Sequence, residues 1–395
     1  MPDEVVQGAA AAAERPQGYA PGSWKVTFVQ DCNLECRYCC TGFGRFGRER
    51  QYMNEEIWTR LAELIAAMAP NGKRVDVEFG GGETFLRFGD AMRFLDLAGR
   101  LLARRQIPIG ASILTNGTVA TRDQLRECLE RRIALSFSID GPQVDHDAFR
   151  VFRDGRSTHH IALENWRYYR ELADGVPDPP GCVVSTVVAG NSRLAAVAEF
   201  WCRQGVTRYK AIPAEPSRFL AGQELEEWNV RRARYLEDFK VLAFSEAERL
   251  RGRTLEKEFE GPLSILDPWR RLKGSAPYSM CGAGHNVIAV DALGDLFPCQ
   301  GFVGFQQRSI GDVYSGVRNE ELQEFRAARL AVQRSCNGCW ARFLCDGGCC
   351  AGDPENGVVL DSWNGCQFTR AHVEITLASY LHWRNHGPSQ PGIPK

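Results

Sequence analysis

Cys32, Cys36 and Cys39 lie in the stretch Asp31-Cys32-Asn33-Leu34-Glu35-Cys36-Arg37-Tyr38-Cys39, directly after the apolar run Trp24 to Val29. The spacing C-x3-C-x2-C lets three thiolates hold three irons of a [4Fe-4S] cube and leaves the fourth iron without a protein ligand. Two plainer chemistries compete. A structural zinc site wants four ligands, often as two paired knuckles, and this stretch offers a triplet plus the adjacent Cys40. A thioredoxin-like redox pair would use Cys36 and Cys39 and would leave the third cysteine without a task.

A second group of candidates closes later strand-like runs. Val75 to Phe79 leads into Gly80-Gly81-Gly82-Glu83-Thr84, where the glycines allow close backbone approach and the Glu83 carboxylate can accept hydrogen bonds from an ammonium. A simple glycine turn is the alternative. Along Ala134 to Ile139, period-two alternation puts Ser136, Ser138 and Asp140 on one face. Polar groups there need partners, supplied either by a buried hydrogen-bond network or by a polar cofactor. Gly42-Phe43-Gly44-Arg45-Phe46-Gly47 matches the letters G-x-G-x-x-G but follows cysteines instead of a strand. A flexible loop over the cysteines is expected in place of a dinucleotide-binding turn.

The elements that must position these residues alternate. Asn54 is an N-cap candidate with Glu55 and Glu56 behind it and Ile57, Leu61, Leu64, Ile65 and Met68 at helical spacing. Strands at Val75 to Phe79, Ile109 to Leu114, Ala134 to Ile139, Cys182 to Val188 and Thr207 to Ile212 alternate with helices near Asp90 to Arg105 and Thr121 to Arg131. With Trp24 to Val29 the count is six strands, and strand-helix-strand order announces a parallel α/β sheet. Glu224 to about Arg253 reads as a long amphipathic helix with a solvated charged side.

The whole chain bounds the setting. Its 395 residues suffice for two domains, and 48 basic against 49 acidic residues give a formal charge of -1, which favours neither nucleic acid nor an anionic membrane. The start Met1-Pro2-Asp3-Glu4 and the short Ala9 to Ala13 run do not resemble a secretory signal, and no stretch of about 18 apolar residues follows. A reducing cytoplasm is expected, where clustered cysteines among the 15 more often bind metal or catalyse than cross-link.

The cysteine triplet, with aromatic Tyr38 before its third member, resembles the radical S-adenosylmethionine (SAM) enzymes, and Gly81-Gly82-Glu83-Thr84 resembles their "GGEP" motif with threonine in place of proline. The resemblance implies an incomplete (β/α)6 barrel of the TIM type with its site at the C-terminal strand ends. It also implies that SAM sits on the open iron near Gly81, Gly82, Glu83, Asn116, Ser138, Asp140, Arg150 and Asn191. Farther on, Cys281 stands twelve residues before Gly294, Cys299 follows, and then come Cys336, Cys339, Cys345, Cys349 and Cys366. This C-x12-G-x4-C, C-x2-C-x5-C-x3-C, C array resembles the SPASM domain, a carrier of auxiliary clusters. A zinc ribbon is the alternative for Cys336 to Cys349 taken alone.

That resemblance implies three [4Fe-4S] clusters. Cys336, Cys339, Cys345 and Cys366 would complete one auxiliary cube, while Cys281, Cys299 and Cys349 would leave an iron open, with Cys350 spare. The expected division is a flexible arm over residues 1–20, the barrel over 21–222, a helical linker over 223–272, the SPASM domain over 273–370 and a C-terminal helix and tail over 371–395.

Similarity to peptide maturases of the six-cysteines-in-forty-five type implies a ribosomally made, cysteine-containing precursor peptide and an oxidative cross-link, foremost a thioether. Side-chain oxidation of the sulfatase-maturase kind, carbon-carbon cross-linking and a non-catalytic electron carrier are the alternatives. A flavodoxin or ferredoxin would supply electrons. A separate leader-binding protein is also expected, because the residues ahead of the barrel are too few for such a domain.

Overall fold

The computed structural model describes residues 19–177, 179–188, 194–206, 209–213, 223–249, 282–345, 351 and 363–386. Five strands follow the first in strictly parallel order: β1 (Ser23–Val26), β4 (Val75–Phe79), β5 (Ile109–Thr115), β6 (Ala134–Ser138), β7 (Cys182–Val188) and β8 (Tyr209–Pro213). Helices α1 (Glu55–Met68), α2 (Phe88–Ala103), α3 (Arg122–Glu130), α5 (His159–Asp174) and α6 (Leu194–Arg203) make the crossovers, and the short α4 (Gln143–Phe149) precedes α5. Each long crossover suits a parallel sheet, whose neighbouring strands cannot be joined by a tight turn. The mixed α/β class and the six-strand unit expected from the sequence are both present.

Local chemistry explains the helix starts. The Asn54 side chain accepts from the Ile57 amide at 2.9 Å, and Glu55 and Glu56 complement the helix dipole. Thr121 and Gln124 form a reciprocal capping box at the start of α3. Under the sheet, Trp24, Val26, Val77, Phe79, Ile113, Leu135 and Phe137 are buried in one core with Leu61 and Ile65 of α1, Phe94 of α2 and Leu125 of α3. The opposite sheet face is only half-buried and carries Lys25 paired to Glu78 at 2.7 Å, with Ser112, Ser136 and Ser138. A parallel sheet is usually apolar on both faces, so this polar, half-buried face is the one suited to meet a polar ligand.

Two features depart from the sequence reading. The run Trp24 to Val29 is not one strand: it breaks after Val26, and β2 (Val29–Gln30) pairs with β3 (Gln51–Tyr52) in a separate small sheet. In addition, β9 (Val287–Val290) lies parallel to β1 on its outer side, followed by β10 (Asp295–Phe297), β11 (Gly311–Asp312) and β12 (Gly316–Val317). The C-terminal region thus extends the barrel sheet, so the described part of the SPASM-like segment is continuous with it. Beyond lie α7 (Gln223–Arg249), α8 (Asn319–Ser335), the one-turn α9 (Arg342–Cys345) and α10 (Trp363–His386). Helices α7 and α10 pack through Tyr235, Phe239 and Phe368 around His372, with the Phe239 and His372 rings stacked 4.1 Å apart.

The glycine-rich stretch after the cysteines is also not a loosely draped loop. Gly42, Gly44 and Gly47 and even Phe43 and Phe46 take positive φ, and Phe46 is buried. A Cβ on Gly44 would meet Gly82 Cα at 2.8 Å, so this position accepts no side chain. Outside the two cysteine arrays, Cys128 is buried and Cys182 half-buried, whereas Cys202 is exposed near the end of α6.

Candidate functional site

The cysteine loop leaves β2 and is stitched to residues 149–153. Glu35 and Arg37 donate backbone N–H groups to the carbonyls of Val151 and Phe149, each at 2.9 Å. At the loop's entry, Asp31 accepts from Arg153 at 2.6 Å and from the Tyr52 hydroxyl at 2.7 Å, and Arg153 also reaches the Cys32 carbonyl. Burial works against ionising Asp31, yet Tyr52, Arg153 and Arg50 outweigh it and hold the carboxyl below its ordinary value. The Asp31 carbonyl in turn accepts from the Glu83 amide at 2.9 Å, and a Cβ on Gly82 would collide with the carbonyls of Val29 and Asp31. Only glycine lets the two loops lie this close.

The donor chemistry at the triplet suits a cluster. Leu34 N–H and the Asn116 amide point at Cys32 Sγ at 3.5 and 3.6 Å, and Phe43 N–H at Cys39 Sγ at 3.1 Å. Such donors favour thiolate over thiol and tune iron-sulfur clusters. Burial pushes the Cys32 thiol up to about 11 and Cys36 up to about 12, and the Cys39 sulfur adds to both shifts. Thiolates crowded in this way need positive charge, which iron supplies. Among the described residues no three ligating side chains already stand together as a closed metal site, so the fit rests on this donor chemistry.

Glu83 is fully buried at the end of β4. Its Oε1 accepts from Phe85 N–H at 3.1 Å and from the Thr115 hydroxyl at 2.9 Å, while Oε2 accepts from Asn116 N–H at 2.8 Å. Burial still raises its pKa. An ionised carboxylate offers about four acceptor sites, so about one remains for a ligand. Asn116 joins this group to the triplet through Asn33 Oδ1 at 2.9 Å.

Tyr38, Asp140 and Arg150 form a buried triad in which the Tyr38 hydroxyl donates to Asp140 and accepts from Arg150 Nη1 at 2.8 Å. Arg150 therefore lies in the interior; its Nε is buried without a partner among the described residues. His146 braces this corner: its Nδ1 accepts from Asp140 N–H at 3.2 Å and its Nε2 meets the Thr158 hydroxyl at 2.9 Å. Burial, Arg150 and His159 hold its pKa far below the ordinary value, so the ring is neutral. Ser138 is half-buried on the inner face, as alternation predicts. Gly81, φ +101°, packs against Thr27 and Phe46.

Thus the structure gathers Cys32, Cys36, Cys39, Gly81, Gly82, Glu83, Asn116, Ser138, Asp140 and Arg150 at one end of the parallel strands. Asn191 lies outside the described residues. Sequence reasoning missed Asp31, Arg153, His146 and Thr158; their tasks depend on contacts as far apart as Asp31 and Arg153, which no local spacing reveals. It also missed Gln300, whose buried Nε2 lies 3.3 Å from the position a Cβ on Gly80 would take and has no partner among the described residues.

In the C-terminal region Cys281, Cys349 and Cys350 lie outside the described residues. Cys299, Cys336, Cys339, Cys345 and Cys366 are half-buried. Around Cys299, an apolar cluster joins Phe46, Ala283, Ala289, Phe297, Phe302, Val303 and Phe325, with Ala351 packed against it. Ala283 and Ala351 each stand two residues after an expected ligand, Cys281 and Cys349. Phe46 carries the contact from this cluster back to Gly81.

Residues 26–191 match the profile of the Radical SAM superfamily. That segment is similar to a radical SAM domain. Among curated relatives, it is 25% identical to the sporulation killing factor maturation protein SkfB of Bacillus subtilis over 71% of this chain, a match spanning only 61% of that protein's length. It is 25% identical to the mycofactocin maturase MftC of Mycobacterium tuberculosis over 91% of this chain and 85% of that one. A serine-type anaerobic sulfatase-maturating enzyme of Klebsiella pneumoniae is 22% identical over 80% of this chain and 78% of that one. Among solved structures, anSMEcpe with bound AdoMet and Cp18Cys peptide shares the fold at a TM-score of 0.71, 18% identity, and coverage of 92% of this chain and 99% of that one. Among the described residues no helix is long and apolar enough to cross a membrane.

Proposed function

We propose that this enzyme modifies a ribosomally made peptide through radical chemistry, forming an oxidative cross-link, foremost a thioether from a substrate cysteine. A reduced [4Fe-4S] cluster with SAM, when bound, supplies a 5'-deoxyadenosyl radical able to take hydrogen from an unactivated carbon. Cys32, Cys36 and Cys39 would hold that cluster. The remaining acceptor site of Glu83, the backbone of Gly81 and Gly82, Asn116, Ser138, Asp140, Arg150 and Asn191 would receive the polar ends of SAM. Cys336, Cys339, Cys345 and Cys366 would hold one auxiliary cluster, and Cys281, Cys299 and Cys349 a second with an iron open to the substrate thiolate.

One observation carries this reading: the donor-lined cysteine triplet sits beside the buried Glu83 at the mouth of a half-open, polar sheet face. Thioether formation removes two hydrogens, one from carbon and one from sulfur, and its surplus electron needs an acceptor near the peptide, the task given to the auxiliary clusters. The likeness to a sulfatase-maturating enzyme over 80% of the chain supports a second reading, oxidation of a side chain to a carbonyl.

The test is anaerobic reconstitution with iron and sulfide, reduction with a flavodoxin or ferredoxin, and incubation with SAM and the peptide encoded beside the gene. Release of 5'-deoxyadenosine and a peptide lighter by two hydrogens that resists thiol alkylation is the expected result. A product of the same mass that reacts with a hydrazide supports side-chain oxidation instead. A loaded, reduced protein that releases no 5'-deoxyadenosine refutes both.

A further inference from the structure

Beside the cysteine loop, two largely covered carboxylates are each held by two arginines, and the arginines are the exposed partners. Asp31, the residue before Cys32, pairs with Arg153 at 2.6 Å and with Arg50 at 3.4 Å. Asp90, in the first turn of α2, pairs with Arg87 at 2.6 Å and with Arg93. Tyr52 joins the two groups: its hydroxyl donates to Asp31 at 2.7 Å, and the Arg87 guanidinium lies 5.6 Å from its ring centre. The side chains of Asp31 and Asp90 are 7% and 14% exposed, against 30% for Arg153, 50% for Arg50, 47% for Arg87 and 64% for Arg93. Four guanidiniums above two sunken carboxylates leave this corner with an outward positive excess.

Folding gives the doubled arginines little reason. Exposed ion pairs contribute little to stability, and two like charges on one carboxylate repel each other. The corner also runs against the chain as a whole, whose formal charge is -1. Next along the chain, Asp154 is answered by Arg156 at 2.7 Å, and exposed Glu49 is matched in number by exposed Arg37. The corner is tied to both loops of the site. Arg153 reaches the Cys32 carbonyl as well as Asp31, the Asp31 carbonyl accepts from the Glu83 amide at 2.9 Å, and Arg87 ends the short turn that Glu83 caps. Cys32 and Cys39 are only half-buried and pack with Phe152 against Leu34 and Cys36. A cluster on this triplet would thus have the positive corner next to one of its ligands.

We propose that Arg50, Arg87, Arg93 and Arg153 form the docking surface for the electron donor, a small acidic one-electron carrier protein of the flavodoxin or ferredoxin kind. This rests on the SAM cluster given under Proposed function. Fixed guanidiniums facing an acidic partner steer the encounter and raise its rate by about tenfold or more, an effect that weakens with salt. Electron-transfer encounters use small, short-lived interfaces, so a patch of four side chains is of the right scale. In the encounter one electron leaves the reduced carrier and enters the oxidised cluster; no bond forms or breaks, and no proton has to move. The rival occupant is an acidic segment of the substrate peptide.

The test compares the reconstituted full chain with its R50E/R93E, R93E and R203E variants at matched iron content. Arg203 ends α6 on the way to the start of β8, away from the strand ends that carry the site. The first readout is the Kd of a fluorescently labelled flavodoxin. It should weaken by about tenfold or more in R50E/R93E, less in R93E, and not in R203E, and the wild-type Kd should weaken between about 50 and 200 mM salt. The second is 5'-deoxyadenosine release at sub-saturating flavodoxin, divided by release with photoreduced deazaflavin, a small neutral reductant that needs no docking. That ratio should fall with the Kd. If R50E/R93E fails to load iron, R93E decides alone, because Arg93 pairs with Asp90 on its own helix. An unchanged Kd and ratio in a loaded variant overturn the proposal, and so does a higher peptide KM at an unchanged flavodoxin Kd, which gives the corner to the substrate. A loaded chain that releases no 5'-deoxyadenosine even with deazaflavin refutes the radical reading itself, a failure distinct from lost docking.

Discussion

Replacing Glu83 separates two tasks that the site gives to one carboxylate. Its three accepted hydrogen bonds tie the end of β4 to the end of β5 and start the turn at Phe85. Glutamine keeps Oε1 for the Phe85 amide and the Thr115 hydroxyl but sets an amide NH2 against Asn116 N–H. That exchange loses a charge-assisted bond worth about 1.5–3 kcal/mol and buries two facing donors. The neutral amide also escapes the burial penalty that raises the Glu83 pKa, so E83Q should cost about 2 kcal/mol net. Alanine instead orphans three buried donors at about 1–3 kcal/mol each, a loss comparable to the whole stability of a domain. Denaturant unfolding of the purified chain measures both variants, and calorimetric titration of the reconstituted protein with SAM measures the other task, for which at least a tenfold weaker Kd in E83Q is expected. An E83A chain that unfolds at the wild-type midpoint would refute the clamp, whatever SAM does.

Other consequences follow from the same contacts. G82A should abolish loading of the SAM cluster, read as the loss of about four irons per chain, because the added Cβ meets the backbone of Val29 and Asp31 instead of a movable side chain. C36A should eliminate 5'-deoxyadenosine release, whereas C339A should retain part of it while losing modified peptide; equal loss of SAM cleavage in two folded variants would undo this division of labour. Asp291 is buried, and burial first, then Asp295, raise its pKa to about 6 against the partial opposition of Arg48 and two backbone amides. A raised folded-state pKa means tighter proton binding in the folded protein, so its contribution is full below the ordinary value of 3.8 and is lost as pH rises through about 6. The stability of wild type relative to D291N should therefore fall by roughly 2 kcal/mol between pH 4 and pH 7, checked by denaturant midpoints across that range; a flat difference would contradict it.

The parts of this protein legible in the sequence are those set by local rules. Three cysteines within eight residues announce cluster chemistry because ligand spacing is a short-range property, and the Asn54 and Thr121 caps, the apolar helical stripes and the period-two strands gave elements within a few residues of those observed. Arg150 and Glu83 were found by motif, but their surroundings were not: the sequence could not say that Arg150 leans on a Tyr38 hydroxyl, or that three of the four acceptor sites of Glu83 are already taken.

Tertiary structure alone decided how the two halves meet. Strand β9 lies beside β1 although some 260 residues separate them, and a four-residue apolar strand carries no mark of its partner. The same holds for Asp31 with Arg153, for Phe46 lodged between Gly81 and the C-terminal apolar cluster, and for the burial of Arg150. Burial turns a routine charge into a demand for a partner, and burial is set by what the rest of the chain packs against, so this demand becomes visible only in three dimensions.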